Sequence, residues 1–119
     1  MSKSILSDKS YAFAIKIVRL SQSLQTKSKE FVLSRQILKS GTAIGALIRE
    51  AEFAQSKADF ISKMSISLKE ANETVYWLNL LKNTDHINNE SFLNLESNCK
   101  ELVTMLVSSV KTSKNSIKK

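Results

Sequence analysis

The stretch SKADFISKMSISLKEANETVYWLNLLK, residues 56–82, decides the fold. Its apolar residues recur at intervals of three and four: Phe60, Ile61, Met64, Leu68, Ala71, Val75, Leu78 and Leu81. That spacing puts one stripe on one face of an α-helix, and Tyr76 and Trp77 widen it. Ser56, three residues before Asp59, resembles a capping box with Asp in place of the usual Glu. The polar run Asn83-Thr84-Asp85-His86 ends the pattern, so a helix is predicted near residues 57–82.

Working outward, the residues before it show the same period. Ser34, Ile37, Gly41, Ile44, Ile48 and Ala51 make a stripe that predicts a helix near 30–54. Gly41 and Gly45 lie one turn apart on it. Each weakens a helix by about 1 kcal/mol relative to alanine. Their use is therefore read as close packing of a neighbouring helix. Further back, Tyr11, Ala14, Ile15, Val18 and Ser21 give a face of a helix near 8–25, with Ser7 or Asp8 as its cap. On the other side, Phe92, Leu95, Cys99, Leu102, Leu106 and Val110 form the seam of a helix near 89–112. Asn88 is its expected cap, with Ile87 and Phe92 as a hydrophobic staple.

Composition agrees with long helices. The chain of 119 residues has no proline and two glycines, and sheets with many tight turns need both. The fold class expected is all-α, an antiparallel up-down-up-down four-helix bundle in one domain, residues 1–119, with a basic frayed tail from about 113 to 119. Ile37, Ile44, Ile48, Ile61, Met64, Leu68, Leu78, Leu95, Cys99 and Leu106 are expected in the core. Phe13, Leu47, Phe53, Trp77, Leu80, Leu93 and Val103 lie off the best-fitting stripes. Such an apolar surplus marks them as candidates for an oligomer interface.

No catalytic constellation emerges. Glu70 and Glu73 share a helix face, but a di-metal carboxylate site in a bundle also needs Glu-x-x-His pairs. The one histidine, His86, falls in a connection. The single cysteine, Cys99, sits on an apolar seam, where a thiol is a small core residue rather than a nucleophile. There is no Gly-rich phosphate loop and no zinc-spaced Cys/His set. The reading is therefore no enzyme, no metal and no cofactor. One cysteine permits no intrachain disulfide, and no apolar run approaches the ~18 residues of a membrane span, so a cytoplasmic location and no membrane partner are expected.

Charge points to partners instead. The net charge is +7, and a basic balance favours anions such as nucleic acid. Residues 1–29 carry +5 and residues 111–119 carry +4, whereas residues 84–110 carry −3. In an antiparallel bundle the starts of the first and third helices share an end with the finishes of the second and fourth. Lys3, Lys9, Arg49, Lys57, Lys111, Lys114, Lys118 and Lys119 would gather there as nucleic-acid-binding candidates.

The stretch SGTAIGALIREAEFAQSKADFISKMSISLKEANETVYWLNLL, Ser40 to Leu81, resembles the bacterial four-helix-bundle proteins encoded in intervening sequences of 23S ribosomal RNA genes. The flanks KSYAFAIKIVRL and CKELVTMLVSSVK fit as well, so the resemblance covers nearly the whole chain. It implies a four-helix bundle that assembles as a ring-like homopentamer. A related accessory protein of diversity-generating retroelements binds nucleic acid and a reverse transcriptase through a basic surface. The chain departs from the pattern at Leu47, where many relatives have Asn, and at Arg49, where many have Ala. The function expected is a non-enzymatic, oligomeric nucleic-acid-binding protein, with RNA the expected ligand. The alternative is a structural scaffold that binds another protein, its charge serving solubility alone.

Overall fold

The structure, a computed structural model, describes residues 4–118, with side chains described through Ser116. Its regular elements are four helices: α1 (Ile5–Lys27), α2 (Val32–Glu52), α3 (Lys57–Asn83) and α4 (Asn89–Lys118). No strand occurs among the described residues. The body measures 51 × 24 × 20 Å, with the long dimension set by the helices.

Local chemistry fixes where each helix begins. Ser4 caps α1, its Oγ accepting from the Ser7 amide at 3.2 Å, so the helix starts a turn earlier than a cap at Ser7 or Asp8 would place it. The α2 start has no hydroxyl cap. The Glu30 carboxylate accepts instead from the amides of Leu33 (2.6 Å) and Ser34 (3.1 Å). Glu30 thus lies outside the helix it was expected to begin, as an anion at the positive end of the dipole. Ser56 Oγ accepts from Asp59 N at 3.0 Å, while Asp59 Oδ2 accepts from Gln55 N at 3.2 Å. Asn88 caps α4 through Ser91 N at 2.8 Å. The helix extends through Lys118, past the expected end near 112: Lys111 to Lys118 holds no Pro or Gly, and its lysines complement the C-terminal dipole.

Register is written in cross-helix contacts. Between α1 and α2, Ser10 meets Gly45, Ile17 meets Gly41, and Ser21 Oγ donates to Ser34 O at 3.1 Å. Between α2 and α3, Ser67 Oγ donates to Ile44 O at 2.9 Å and Thr74 Oγ1 to Ser40 Oγ at 3.0 Å. Between α3 and α4, Cys99 Sγ donates to Ala71 O at 3.3 Å. Lys82 Nζ stands 4.5 Å from the Phe92 ring centre, a cation–π contact. Lys9 reaches Glu101, and Lys16 reaches Asn94 and Asn98, across the α1–α4 seam. In every pair the residue numbers run in opposite order.

The core comprises Phe13, Ile17, Leu24, Ile37, Ile44, Ile48, Met64, Ala71, Leu78, Leu81 and the α4 seam from Phe92 to Val110. Ile61 and Leu68, expected inside, are half-buried at its edge. The larger correction is α1. Its buried face is Leu6, Ser10, Phe13, Ile17, Ser21 and Leu24, so of the expected stripe only Ser21 is buried. Tyr11, Ile15 and Val18 face outward. Phe13, expected at an oligomer interface, is 2% exposed and belongs to the core. The stripe from Leu6 to Leu24 spans the whole helix, and its serines fit the narrow approach to α2.

The tightest point of that approach is Gly41. A Cβ on Gly41 would lie 2.8 Å from both Ile17 Cγ1 and Ile17 Cγ2, and Ile17 is fully buried. Gly41→Ala should therefore destabilise the protein by about 1–3 kcal/mol through overpacking, less the ~1 kcal/mol that alanine returns in helix propensity. At Gly45 the nearest atom is Ser10 Oγ at 3.2 Å, so Gly45→Ala should cost less. Urea melts of both variants check the ranking.

Candidate nucleic-acid interface

The four helices contribute to one end of the body. The start of α1 (Ser4, Ile5, Leu6), the end of α2 (Ile48, Glu52), the start of α3 (Phe60, Met64) and α4 (Thr104, Met105, Ser108, Ser109) line an open groove of about 840 Å³. Lys57, the first residue of α3, donates from Nζ to Ser116 Oγ on the last turns of α4 at 3.4 Å. Lys111 and Lys114, three apart and so on one helix face, are exposed within two turns of that contact. No acid occurs in the sequence after Glu101.

The candidate cations are not equivalent. Lys57, Lys111 and Lys114 share the end of the body at the α4 terminus, Lys57 on the Ser116 side of α4 and the other two roughly opposite. Asp59 stands near Lys57, but its carboxylate is engaged by Lys63 Nζ (3.4 Å) and by the Gln55 amide. Lys9 is tied to Glu101 Oε2 at 3.0 Å across the α1–α4 seam. Arg49 is exposed, but the exposed Glu50 and Glu52 follow it and offset its charge. Lys3 and Lys119 lie outside the described residues, and the Lys118 side chain lies outside the described side chains. The Lys9–Glu101 pair depends on how α1 and α4 align, which no spacing along the chain reveals.

Of the candidate interface residues, Phe53 (76%) and Leu93 (52%) are exposed. Leu47, Trp77, Leu80 and Val103 are half-buried. The apolar surface that sequence reading missed lies on α1, at Tyr11, Ile15 and Val18. A second equally spaced stripe on that helix was the available signal.

Cys99 is buried, and that burial pushes its thiol up to about 12, so it stays protonated at neutral pH. His86 Nδ1 lies 2.8 Å from Thr84 Oγ1 in the α3–α4 connection. Among the described residues no three of His, Cys, Asp and Glu come together as metal ligands would. No helix in the described residues is long and apolar enough to cross a membrane.

The fold and this end define a small all-α protein of four helices with cations gathered about one helix terminus. The chain belongs to the 23S rRNA-intervening sequence protein family, whose model matches residues 2–108. It is similar to a protein of unknown function from the S23 ribosomal protein family of Bacteroides thetaiotaomicron, known from a crystal structure. The two are 52% identical, with a TM-score of 0.89 over 90% of this chain and 99% of that one. No curated protein matches the chain.

Proposed function

We propose that this protein is a non-enzymatic, oligomeric RNA-binding protein, an antiparallel up-down-up-down bundle that engages phosphates with the cations at one end. One observation carries the reading. Lys57 hydrogen-bonds Ser116 on the last turns of α4, and the same end of the body carries the exposed Lys111 and Lys114, with no acid in the sequence after Glu101. Several cations presented at one rigid end suit a polyanion, which offers many phosphates to neutralise. No base-reading motif accompanies the cluster, so recognition rests on backbone and shape.

Filter binding to a structured RNA tests the proposal. Lys57→Glu combined with Lys111→Glu should weaken binding ~10-fold or more on every sequence tried, because both side chains engage phosphate. Helical content by circular dichroism should not change, since both side chains are exposed. Equal affinities for wild type and double variant would overturn the RNA reading in favour of a protein-binding scaffold.

A further inference from the structure

The groove between the start of α1 and α4 is open at its mouth and deep enough to reach the core. Leu6, Ile48 and Met64, from α1, α2 and α3, make its floor and are 7%, 2% and 3% exposed. Ile5, Phe60 and Met105 are more accessible and form its walls. The two thioethers among these side chains adapt to the shape they meet. The rest of the lining bears hydroxyls, apart from one carboxylate, Glu52.

A lysine stands at each end of this trough. At the inner end, Lys9 lies one turn past Ile5 and pairs with Glu101, one turn before Met105. At the outer end, Lys57 shares one face of α3 with Phe60 and Met64. Its Nζ reaches Ser116, two turns past the lining residue Ser109 and so on the same face of α4. From Glu101 to Ser116 the α4 wall is ~22 Å long. The two ammonium groups differ. Lys9 is neutralised by Glu101 at 3.0 Å, whereas Lys57 has no carboxylate partner among the described residues and only the Ser116 hydroxyl at 3.4 Å. Glu52 does not offset Lys57. It continues the row of Gly41 and Gly45, which touch α1, so it stands on the α1 side of α2, away from the side where α3 and α4 meet.

We propose that this groove binds a single-chain anionic amphiphile, a long unbranched alkyl carboxylate, with its chain along the floor and its carboxylate on Lys57. The groove's volume of about 840 Å³ falls among the clefts that hold small molecules. A helix, about 10 Å across, is too wide to enter between α1 and α4, because Lys9 and Lys16 hold the two helices within side-chain reach. A slender alkyl chain enters. A membrane surface does not reach a floor this deep, so the ligand is a free molecule rather than a lipid in a bilayer. Burying the chain removes apolar surface from water on both sides, and the carboxylate gives Lys57 the charged partner it lacks. The site goes beyond the RNA reading and does not depend on it.

Isothermal titration calorimetry with dodecanoate, below its micellar concentration and without nucleic acid, tests it. Each chain should bind one dodecanoate, ~10-fold more tightly than decanoate, because two further methylenes are buried. Dodecyltrimethylammonium has the same chain and the opposite charge, and it should bind at least ~10-fold more weakly. Lys57→Gln should weaken dodecanoate binding ~10-fold, whereas Glu52→Gln should not weaken it. Ser108→Trp fills the groove from an exposed lining position and should abolish binding with circular dichroism unchanged. A wild type that shows no saturable binding overturns the inference. Equal affinities for the two head groups, or for wild type and Lys57→Gln, also overturn it, because the carboxylate then does not sit on Lys57. Binding that a folded Ser108→Trp protein retains in full places the chain elsewhere and overturns it as well.

Discussion

Ile44→Asp should leave the protein unfolded at room temperature. Ile44 is fully buried in the middle of α2, and its own carbonyl accepts the Ser67 hydroxyl that ties α3 in place. Removing the branched side chain costs about 2–5 kcal/mol in transfer and cavity terms. Burying a carboxylate with no cation in reach adds several kcal/mol more, whether it stays charged or takes up a proton. A domain of this size has roughly 5–15 kcal/mol of stability in total, so the sum approaches or exceeds what is available. Ile48, one turn later, is 2% exposed but lines the open groove, where a carboxylate can turn toward water. Ile48→Asp should therefore cost less than Ile44→Asp. Circular dichroism in water and urea melts of both variants read the difference. A cooperative melt of Ile44→Asp near the wild-type midpoint would contradict the assigned core.

RNA affinity should fall about 20- to 100-fold when salt rises from about 50 to about 200 mM. Lys57, Lys111 and Lys114 supply three exposed cations per chain, and neutralising each phosphate releases condensed counterions. With ~3–4 phosphates engaged, the logarithmic slope is roughly −2 to −3.5, which gives that range for a fourfold rise in salt. A ring that presents the same cluster from several copies would steepen the slope further. The slope also separates mechanisms. In the Lys57→Glu, Lys111→Glu variant it should flatten by about two, one for each phosphate that is no longer neutralised. A wild-type affinity that hardly responds to salt would remove phosphate binding as the basis of the interaction.

Three of the four helices were legible because their stripes are large and unopposed. Ile37, Ile44 and Ile48 on α2, Met64 and Leu78 on α3, and Leu95, Cys99 and Leu106 on α4 all point inward. On α1 two stripes compete, and hydrophobicity favours the wrong one. The buried stripe uses Ser10 and Ser21, which score as surface residues. Their value is their size, since they stand against Gly45 and Ser34, where a leucine has no room. The outward stripe of Tyr11, Ile15 and Val18 looks like a core until the approach of α2 is known. The candidate site shows the same division. That Lys57, Lys111 and Lys114 share an end follows from helix lengths and directions. That Lys9 is held by Glu101, or that Asp59 is occupied by Lys63, follows from side-chain reach in the folded chain.

The hydroxyl bonds that pin α2 to its neighbours bear on more than packing. Apolar ridges alone allow a helix to ratchet along its neighbour by one turn and find a comparable fit. The bonds from Ser21 to Ser34 O and from Ser67 to Ile44 O do not permit that slip, because each is buried and a displaced hydroxyl would be left without a partner. Their strength therefore acts on axial position. With α1, α2 and α3 locked at fixed heights, the start of α3 is held at a set level beside the last turns of α4. A ligand at this end would meet Lys57 at a level the fold has already set. A polyanion meeting this end finds the backbone supporting its cations already ordered, and only the long side chains themselves have freedom left to lose. Pre-organisation of this kind lets a small number of weak charges discriminate between shapes of equal charge density.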